Sequence, residues 1–238
     1  MSAVDPLQNR DAVFFDAGFT LLMPVAPIPH IYLEHASEVG VTPCRDAFGE
    51  AFHATWKGIG GRVFRPDHRT SDVEERDAWH VLTQTIAKHF PDLHARHPEW
   101  FDLLMNRFDA PTTWVIADGA VELLRALRNR GLKLAIVSNW HSALVPILRE
   151  HGLLDYFDAV LCSGSEGYRK PHPELFRRAL SRVRTSPERA VHVGDSHHDD
   201  VVGARRARIA AWHLSETTEA GRHGTARNLR DLAVAWRL

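Results

Sequence analysis

The stretch Ala-Val-Phe-Phe-Asp-Ala-Gly-Phe-Thr-Leu-Leu, residues 12–22, decides the fold of this chain. Its first four residues are apolar, which predicts a short strand buried on both faces and ending at Asp16. The segment from Ala17 to Thr20 contains a glycine and predicts a turn. A carboxylate at the end of a buried strand loses its hydration and needs a partner. The stretch therefore predicts a core strand whose last residue has a chemical role.

Short apolar segments alternate with helical patterns in the second half of the chain. The expected strands are residues 133–137, 159–162, 190–193 and 209–212. The expected helices are residues 119–130, 142–151, 173–183 and 201–207. This alternation predicts a doubly wound α/β fold, in which helices cover both faces of a parallel sheet. Ligands of such sheets bind beyond the carboxyl ends of the strands.

A long segment interrupts this pattern directly after the first strand. Residues 23–29 contain three prolines and predict a stiff, extended linker. From about residue 30 to residue 109, apolar residues recur every three or four positions, which predicts helices. Residues 110–113 form the expected return linker. The expected domains are an α/β core, residues 1–22 and 115–238, and an inserted all-helical domain, residues 23–114.

Composition excludes several classes of protein. Lys plus Arg is 29 and Asp plus Glu is 30, so the net charge is -1. A protein that binds nucleic acid non-specifically needs a basic surplus. No apolar run approaches the roughly eighteen residues of a membrane span. Two cysteines in 238 residues make no disulfide framework and favour a reducing compartment. We expect a cytoplasmic monomer or homodimer without nucleic-acid or membrane partners.

Polar side chains follow four of the predicted strands. Because the carboxyl ends of parallel strands meet at one edge of a sheet, these side chains are expected to converge. Two acids at neighbouring strand ends repel each other unless a cation lies between them. Mg²⁺ prefers oxygen ligands and keeps open positions for a phosphate oxygen. The side chains concerned are Asp16, Thr20, Ser138, Asn139, Lys170, Asp195, Asp199 and Asp200.

The order and spacing of these residues resemble the haloacid dehalogenase-like superfamily of hydrolases. The resemblance covers residues 12–22 and about 116–213, and it implies a Rossmann-like core. A large branch of this superfamily carries a helical cap at the place where residues 23–114 interrupt the core. The matching segments are residues 15–21, 136–139, 170–176 and 193–204.

The resemblance implies a magnesium-dependent phosphatase that acts on a small phosphorylated metabolite. Asp16 is similar to the nucleophile that attacks phosphorus and forms an aspartyl-phosphate. The same carboxylate would ligate Mg²⁺, together with the main-chain carbonyl of Gly18 and with Asp195. Asp200 matches the acid that holds the water shell of the metal, and Asp199 is the alternative for that role.

Four further residues match groups that contact the phosphoryl group in the superfamily. Thr20 and Ser138 would donate hydrogen bonds to the phosphoryl oxygens, and Asn139 belongs to the same binding set. Lys170 would neutralise charge on the nucleophile and on the phosphoryl group. Phosphoryl transfer spreads charge over three oxygens, so donors and cations at these places are what the chemistry needs.

One position departs from the superfamily pattern. Phosphatases of this type carry a second acid two residues after the nucleophile, where this chain has Gly18. General acid–base catalysis contributes about a hundred- to ten-thousand-fold in rate. Another group, such as His30 or His197, would have to supply the proton, or the substrate would need a good leaving group such as an acyl phosphate.

The missing acid leaves other functions open. The chain could be a catalytically weak or inactive descendant that binds or regulates. A carbon–halogen hydrolase also lacks the acid, but it needs no magnesium, and the pair Gly194-Asp195 favours a metal. The phosphonate-cleaving branch of the superfamily also lacks the acid, but it uses a cap lysine as a Schiff base. Lys57 and Lys88 are the only lysines of the insert, and neither lies in a recognisable motif, which disfavours this function.

The sequence also separates two groups of aromatic and histidine residues. Phe52, Trp56 and Trp79 recur at helical spacing and are expected to pack inside the insert. Trp140, directly after Ser138 and Asn139, is the better candidate for the mouth of the site. His197 and His198 are expected in a surface loop.

Overall fold

The structure, a computed structural model, describes residues 6–59, 62–217 and 224–238. Its strands are β1 (Ala12–Phe15), β2 (Leu22–Pro24), β3 (Trp114–Ile116), β4 (Lys133–Ser138), β5 (Ala159–Cys162), β6 (Ala190–Gly194), β7 (Ala210–Leu214) and β8 (Thr225–Ala226). Its α-helices are α1 (Ile28–Glu38), α2 (Arg45–Ile59), α3 (Asp72–Ala87), α4 (Pro91–Ala95), α5 (His97–Asp109), α6 (Ala120–Asn129), α7 (Leu144–Glu150), α8 (Ser163–Glu166), α9 (Pro173–Val183), α10 (Gly203–Arg206) and α11 (Leu229–Ala235).

Six of these strands form one parallel sheet in the order β5-β4-β1-β6-β7-β8. Strand β1 lies near the middle, where Phe15 is in register with Ile136 of β4 and Val193 of β6. Successive side chains of a strand point to opposite faces. Val13 and Phe15 accordingly pack in the core below α6, α7 and α11, whereas Phe14 packs against α9 and α10 on the other face. The predicted doubly wound parallel sheet is confirmed.

Glycine stops two of the helices that cover the sheet. Gly131 follows α6 with φ 76°, and Gly152 follows α7 with φ 66°. This left-handed backbone lets the last turn close its hydrogen bonds, and only glycine adopts it without a steric penalty from Cβ. Both helices therefore end within two residues of the predicted positions.

Helices α1 to α5 follow one another between β2 and β3, and a 3-10 turn, Pro111–Thr113, lies between α5 and β3. They enclose a core of their own, in which Trp100 donates a hydrogen bond from Nε1 to the carbonyl of Tyr32 at 3.0 Å. At the base of this helical unit, β2 and β3 pair antiparallel, with Leu22 opposite Ile116. The helical content fits a cap domain. The exact division at residues 23 and 114 stays a prediction.

The structure differs from the sequence-based expectation near the carboxyl end of the sheet. A helix was expected over residues 201–207, but a π-helical turn starts at His197 and runs to Val202 before α10 begins. Strand β8, with two residues, is too short for a periodicity, and helix α11 is not among the predicted elements. Within the described ranges, no helix is long and apolar enough to cross a membrane.

Candidate active site

Four strands deliver the candidate residues to one edge of the sheet. Asp16 follows β1 and donates its backbone N–H to the carbonyl of Val193, at 2.9 Å. Ser138 is the last residue of β4, and Asp195 directly follows β6. Lys170 lies in the loop after α8. The parallel topology therefore brings together residues that lie more than 170 positions apart in the chain.

Three carboxylates form the centre of the site. Asp16, Asp195 and Asp200 each place one oxygen within 4.8 Å of the others. Asp16 and Asp200 are buried and Asp195 is partly buried. The expected convergence of acids from neighbouring strand ends is present in the structure. Asp199, the alternative to Asp200, lies outside this group of three.

Lys170 is the cation of the site. Its side chain is buried, and Nζ lies 2.7 Å from Oδ1 of Asp16 and 2.7 Å from Oδ1 of Asp200. Burial alone would lower the pKa of Lys170, but the two carboxylates outweigh burial and raise it. The ammonium group is therefore charged, and it is shared between two acids.

One lysine does not compensate three acids. Burial raises the pKa of Asp16, and the charge of Asp200 adds to this against the opposing effect of Lys170. Burial, followed by the charges of Asp16 and Asp200, raises the pKa of Asp195 to about 7. Burial would also raise the pKa of Asp200, but Lys170 and a histidine, His192, bring it to about 2. The protein alone thus leaves excess negative charge next to Asp16 and Asp195.

Both oxygens of Asp200 already have protein partners. Oδ1 accepts from Lys170 Nζ and lies 2.8 Å from Nε2 of His192, and Oδ2 accepts from the backbone N–H of Ser196 at 3.0 Å. Gly194 makes this arrangement fit, because a Cβ at that position would lie 2.1 Å from Cγ of Asp200. Asp200 is therefore held rigidly at the edge of the carboxylate group.

Sequence reasoning missed His192. It lies in the middle of β6, is fully buried, and packs edge-on against Phe176 at 5.0 Å between ring centroids. A histidine in an otherwise apolar strand is the signal that could have found it, since a buried imidazole needs a hydrogen-bonding partner. Asp200 is that partner.

Asn139 binds the loop that carries Lys170. Its Oδ1 accepts from the backbone N–H of Lys170 at 2.7 Å, and its Nδ2 donates to the Lys170 carbonyl at 3.0 Å. The same Nδ2 also lies 3.2 Å from Oδ2 of Asp199, whose other oxygen lies 2.9 Å from Nδ1 of His198. The amide of Asn139 is thus occupied by protein groups.

Two hydroxyls lie beside the nucleophile candidate. Ser138 is buried and hydrogen-bonded to Asp16, which opposes the upward shift in the pKa of that acid. Thr20 is buried as well, and its Oγ1 has no hydrogen-bonding partner among the described residues. A buried hydroxyl without a partner costs free energy, so Thr20 has a donor ready for an incoming group.

A cavity of about 640 Å³ opens above this group of residues. Asp16, Gly18, Lys170 and Asp195 are among the residues that line it. Trp140 lines it, as predicted from the sequence. Three aromatic residues of the insert were expected only to pack inside it. They do contact one another, but they also line the wall of the cavity. These three are Phe52, Trp56 and Trp79.

The histidines suggested as replacement acids do not line the cavity. His30 and His197 are exposed to solvent and lie outside its wall. The histidines that do line it are His53 and His141, and Nε2 of His141 lies 3.1 Å from Oδ1 of Asp109. Among the described residues, the insert lysines at positions 57 and 88 are also exposed and outside the wall.

An ion pair closes the cavity on the side of the insert. Glu75 of α3 is buried, accepts from the hydroxyl of Ser163 at 2.7 Å, and pairs with the guanidinium of Arg169. Arg169 directly precedes Lys170 in the chain. The backbone N–H of Thr70 adds a hydrogen bond of 3.2 Å to the carbonyl of Gly167. The insert is thus connected to the loop that carries the site lysine.

Comparison with known proteins identifies relatives of this chain. The family model of the haloacid dehalogenase-like hydrolases matches residues 11–208. Haloacid dehalogenase-like hydrolase domain-containing protein 3 of Bos taurus is 44% identical over 194 residues, which span 80% of this chain and 76% of the relative.

Two other proteins are similar and carry phosphatase names. The glyceraldehyde 3-phosphate phosphatase of Methanothermobacter thermautotrophicus is 33% identical over 115 residues, 45% of this chain and 49% of that protein. The crystal structure of a haloacid dehalogenase-type phosphatase from Thermococcus onnurineus superimposes with a TM-score of 0.62 at 26% identity. That likeness covers 94% of this chain and 96% of the other.

Proposed function

Since this chain belongs to the haloacid dehalogenase-like hydrolase family, we propose that it is a magnesium-dependent phosphatase of a small phosphorylated molecule. The observation that carries this proposal is the group of three carboxylates within 4.8 Å, two of which share Lys170. The phosphatase names of similar proteins support it.

The donor set fits a divalent cation. Asp16 and Asp195 have raised pKa values because burial and neighbouring acids act on them, and a cation between them relieves both effects. Asp16, Asp195 and the main-chain carbonyl of Gly18 would hold Mg²⁺ through oxygen, the ligand type it prefers. Bound there, the ion would neutralise charge that develops on the phosphoryl group.

Asp16 is the nucleophile in this proposal. Its free oxygen attacks phosphorus, the bond to the leaving oxygen breaks, and an aspartyl-phosphate forms on Asp16. Water then attacks the phosphorus, which releases phosphate and regenerates the carboxylate. Lys170 supports both steps, because its ammonium group lies 2.7 Å from Asp16 and offsets charge on the phosphoryl oxygens.

Thr20 and Ser138 donate to the phosphoryl oxygens. The buried, unpartnered hydroxyl of Thr20 is the stronger argument, since a phosphoryl oxygen would satisfy it. Asn139 takes a different role from the one that the resemblance implied. Because its amide is used by the backbone of Lys170, Asn139 is a positioning residue that fixes the lysine loop.

Asp200 positions the site without ligating the metal directly. Its two oxygens are already engaged by Lys170, His192 and Ser196, so a metal-bound water is the contact that remains open to it. Asp199 is bound to Asn139 and His198 and contributes to neither role.

The insert of residues 23–114 acts as a lid over the cavity in this proposal. It supplies much of the wall and contacts the core through Glu75 and Arg169. The chain segments next to the β2–β3 pair, residues 23–29 and 110–113, are its hinges. Closure would exclude water from the site.

The test is an assay of a phosphoester panel with Mg²⁺ and with EDTA. Hydrolysis that depends on Mg²⁺ supports the proposal, together with a rise in Tm on adding Mg²⁺ that Asp195→Asn abolishes. Activity that survives EDTA or Asp16→Asn would refute the mechanism.

Two other functions are distinguished by the same panel. Gly18 favours a catalytically weak protein with a binding or regulatory role, and turnover of any phosphoester at more than 1 s⁻¹, the low end of ordinary enzymes, excludes it. Release of halide from short 2-haloacids without Mg²⁺ would instead identify a carbon–halogen hydrolase.

A further inference from the structure

We propose that the substrate is the phosphate ester of an aromatic hydroxyl, so that the leaving group is a phenolate held among aromatic rings. This inference rests on the proposed phosphatase function and names its substrate class. Two independent observations support it: the chemistry of the cavity wall and the absence of an acid at Gly18.

The wall above the carboxylates is aromatic and apolar. A cavity of about 640 Å³ is large enough for a phosphoryl group that carries one or two rings. Both the insert and the core contribute to the wall, so a ligand would be enclosed on several sides. The wall residues are Phe19, Ile28, Phe52, Trp56, Trp79, Met105, Phe108, Trp114 and Trp140.

The rings of the wall hold one another in place. Trp56 and Trp79 meet edge to face at 5.4 Å between centroids, and Trp114 and Trp140 do so at 4.7 Å. Phe108 contacts Trp114 at 6.2 Å. Edge-to-face contacts of this kind fix ring orientation, so the faces offered to a ligand are ready before it binds. An aromatic ligand gains stacking contacts there beyond the burial of its surface.

The wall offers little to a second anionic group. Among the described residues that line the cavity, Lys170 is the only lysine or arginine, and it is already shared by Asp16 and Asp200. Two histidines also line the cavity. His141 already has Asp109 as its partner, and His53 lies on the insert. A bisphosphate or a phosphorylated carboxylic acid would therefore bury its second charge without a lysine or arginine partner.

Gly18 limits the leaving group independently of the wall. No side chain at this position can protonate the leaving oxygen, so that oxygen departs as an anion. A phenol has a pKa of roughly 10, whereas an alkyl alcohol is close to water, at roughly 16. A phenolate therefore departs from phosphorus unaided far more readily than an alkoxide does, and it takes its proton from solvent.

The balanced reaction needs no further reagent. The carboxylate of Asp16 forms a bond to phosphorus while the bond between phosphorus and the ester oxygen of the aryl group breaks. Water then cleaves the aspartyl-phosphate. The products are one phenol and one inorganic phosphate for each ester and water consumed.

The experiment separates stacking from leaving-group chemistry with five probes. Phenyl phosphate is aromatic with a good leaving group, benzyl phosphate is aromatic with an alkyl leaving group, and cyclohexyl phosphate has neither property. Glycerol 3-phosphate is polar, and acetyl phosphate is small with a good leaving group. Steady-state kcat and KM are measured for each, with Mg²⁺, in the full-length protein.

We expect kcat for phenyl phosphate to exceed that for benzyl phosphate by about a hundredfold or more, the usual contribution of a general acid. KM should be similar for these two esters and higher for cyclohexyl and glycerol phosphates. Trp79→Ala should raise the KM of both aromatic esters about tenfold, the effect of losing one stacking contact with its buried area, and should affect acetyl phosphate, which has no ring, less than it affects these esters. Val81→Ala, an exposed residue two positions along the same helix, is the matched control.

Five outcomes would overturn the inference. Equal kcat for phenyl and benzyl phosphates would mean that another group supplies the proton. A KM for glycerol 3-phosphate as low as that for phenyl phosphate, or an equal effect of Trp79→Ala on all five probes, would mean that the wall does not select aromatic groups. Turnover of acetyl phosphate without turnover of the aryl ester would refute the aromatic substrate but not the phosphatase function. No turnover of any probe would refute both proposals.

Discussion

Trp140 lies against Gly18, so that a Cβ placed on this glycine would come within 3.3 Å of Cζ3 of the indole. The contact is tighter than ordinary van der Waals distance, and the indole is itself held by Trp114 at 4.7 Å. The indole therefore lies directly beside the glycine at which the superfamily resemblance leads us to expect an acid. The absence of an acid and the aromatic wall coincide at this place.

This contact predicts the outcome of restoring the acid. Gly18→Asp alone should raise kcat for alkyl phosphates less than tenfold, because Trp140 obstructs the new side chain. In a Trp140→Ala background the same change should raise it about a hundredfold. Gly18→Ala in that background is the control, since it adds a Cβ without an acid. A full increase from Gly18→Asp alone would show that Trp140 moves aside freely.

Removal of the nucleophile should separate activity from stability. We expect Asp16→Asn to lower kcat about ten-thousand-fold or more, the scale seen when a nucleophile is removed. Its Tm should not fall, because the raised pKa of Asp16 means that its charge is unfavourable in the folded protein.

The control for that change is Asp199→Asn, which alters an acid on the same π-helical turn as Asp200 but outside the group of three carboxylates. Its effect on kcat should stay below tenfold. If Asp199→Asn lowered kcat as much as Asp16→Asn does, Asp199 would be a catalytic residue.

A buried histidine of the insert should make stability depend on pH. Burial, with the neighbouring His80, lowers the pKa of His97 to about 4, and its Nε2 lies 2.9 Å from the hydroxyl of Thr83. The unfolded chain binds a proton at this residue below about pH 6.5, whereas the folded protein does not. The free energy of unfolding should therefore fall as pH drops from about 6.5 to about 4, by on the order of 3 kcal/mol from this group.

Urea titrations at pH 7.5, 6 and 5 would measure this slope. His97→Gln should flatten it over that window, since glutamine does not titrate. His89→Gln, at an exposed position of the same insert, should keep the slope of the unchanged protein. An unchanged slope in His97→Gln would contradict the assignment.

The ion pair between Glu75 and Arg169 should be important for closing the insert over the core. Glu75→Ala leaves a guanidinium that is only 12% exposed without its counter-ion, which costs up to about 3–5 kcal/mol. We expect a lower Tm and a higher KM. The double variant Glu75→Leu/Arg169→Met should recover most of the stability, because it removes both buried charges.

A neighbouring ion pair on the surface is the control for this prediction. Arg76 and Asp102 lie 2.8 Å apart but are both exposed, so Asp102→Ala should cost less than about 1 kcal/mol. Equal losses from the buried and the exposed pair would mean that Glu75 does not hold the insert closed.

The sequence was most informative where local order decides structure. Apolar runs of four to six residues predicted β1, β4, β5 and β6 within two residues, since a strand buried on both faces needs such a run. The acids and hydroxyls that follow these strands could be placed at one edge without coordinates, because parallel strands bring their carboxyl ends together. The helices of the insert were predicted in the same way from their periodicity.

Tertiary structure alone decided how distant side chains meet. Glu75 and Arg169 are 94 positions apart, and Asn139 is 31 positions from the lysine it orients. Neither partner is marked by a local pattern, because both contacts depend on how the insert and the loops pack on the sheet. The sequence by itself determined which chemical groups the sheet edge presents. Packing of the insert above that edge decided that a wall rich in aromatic rings encloses them.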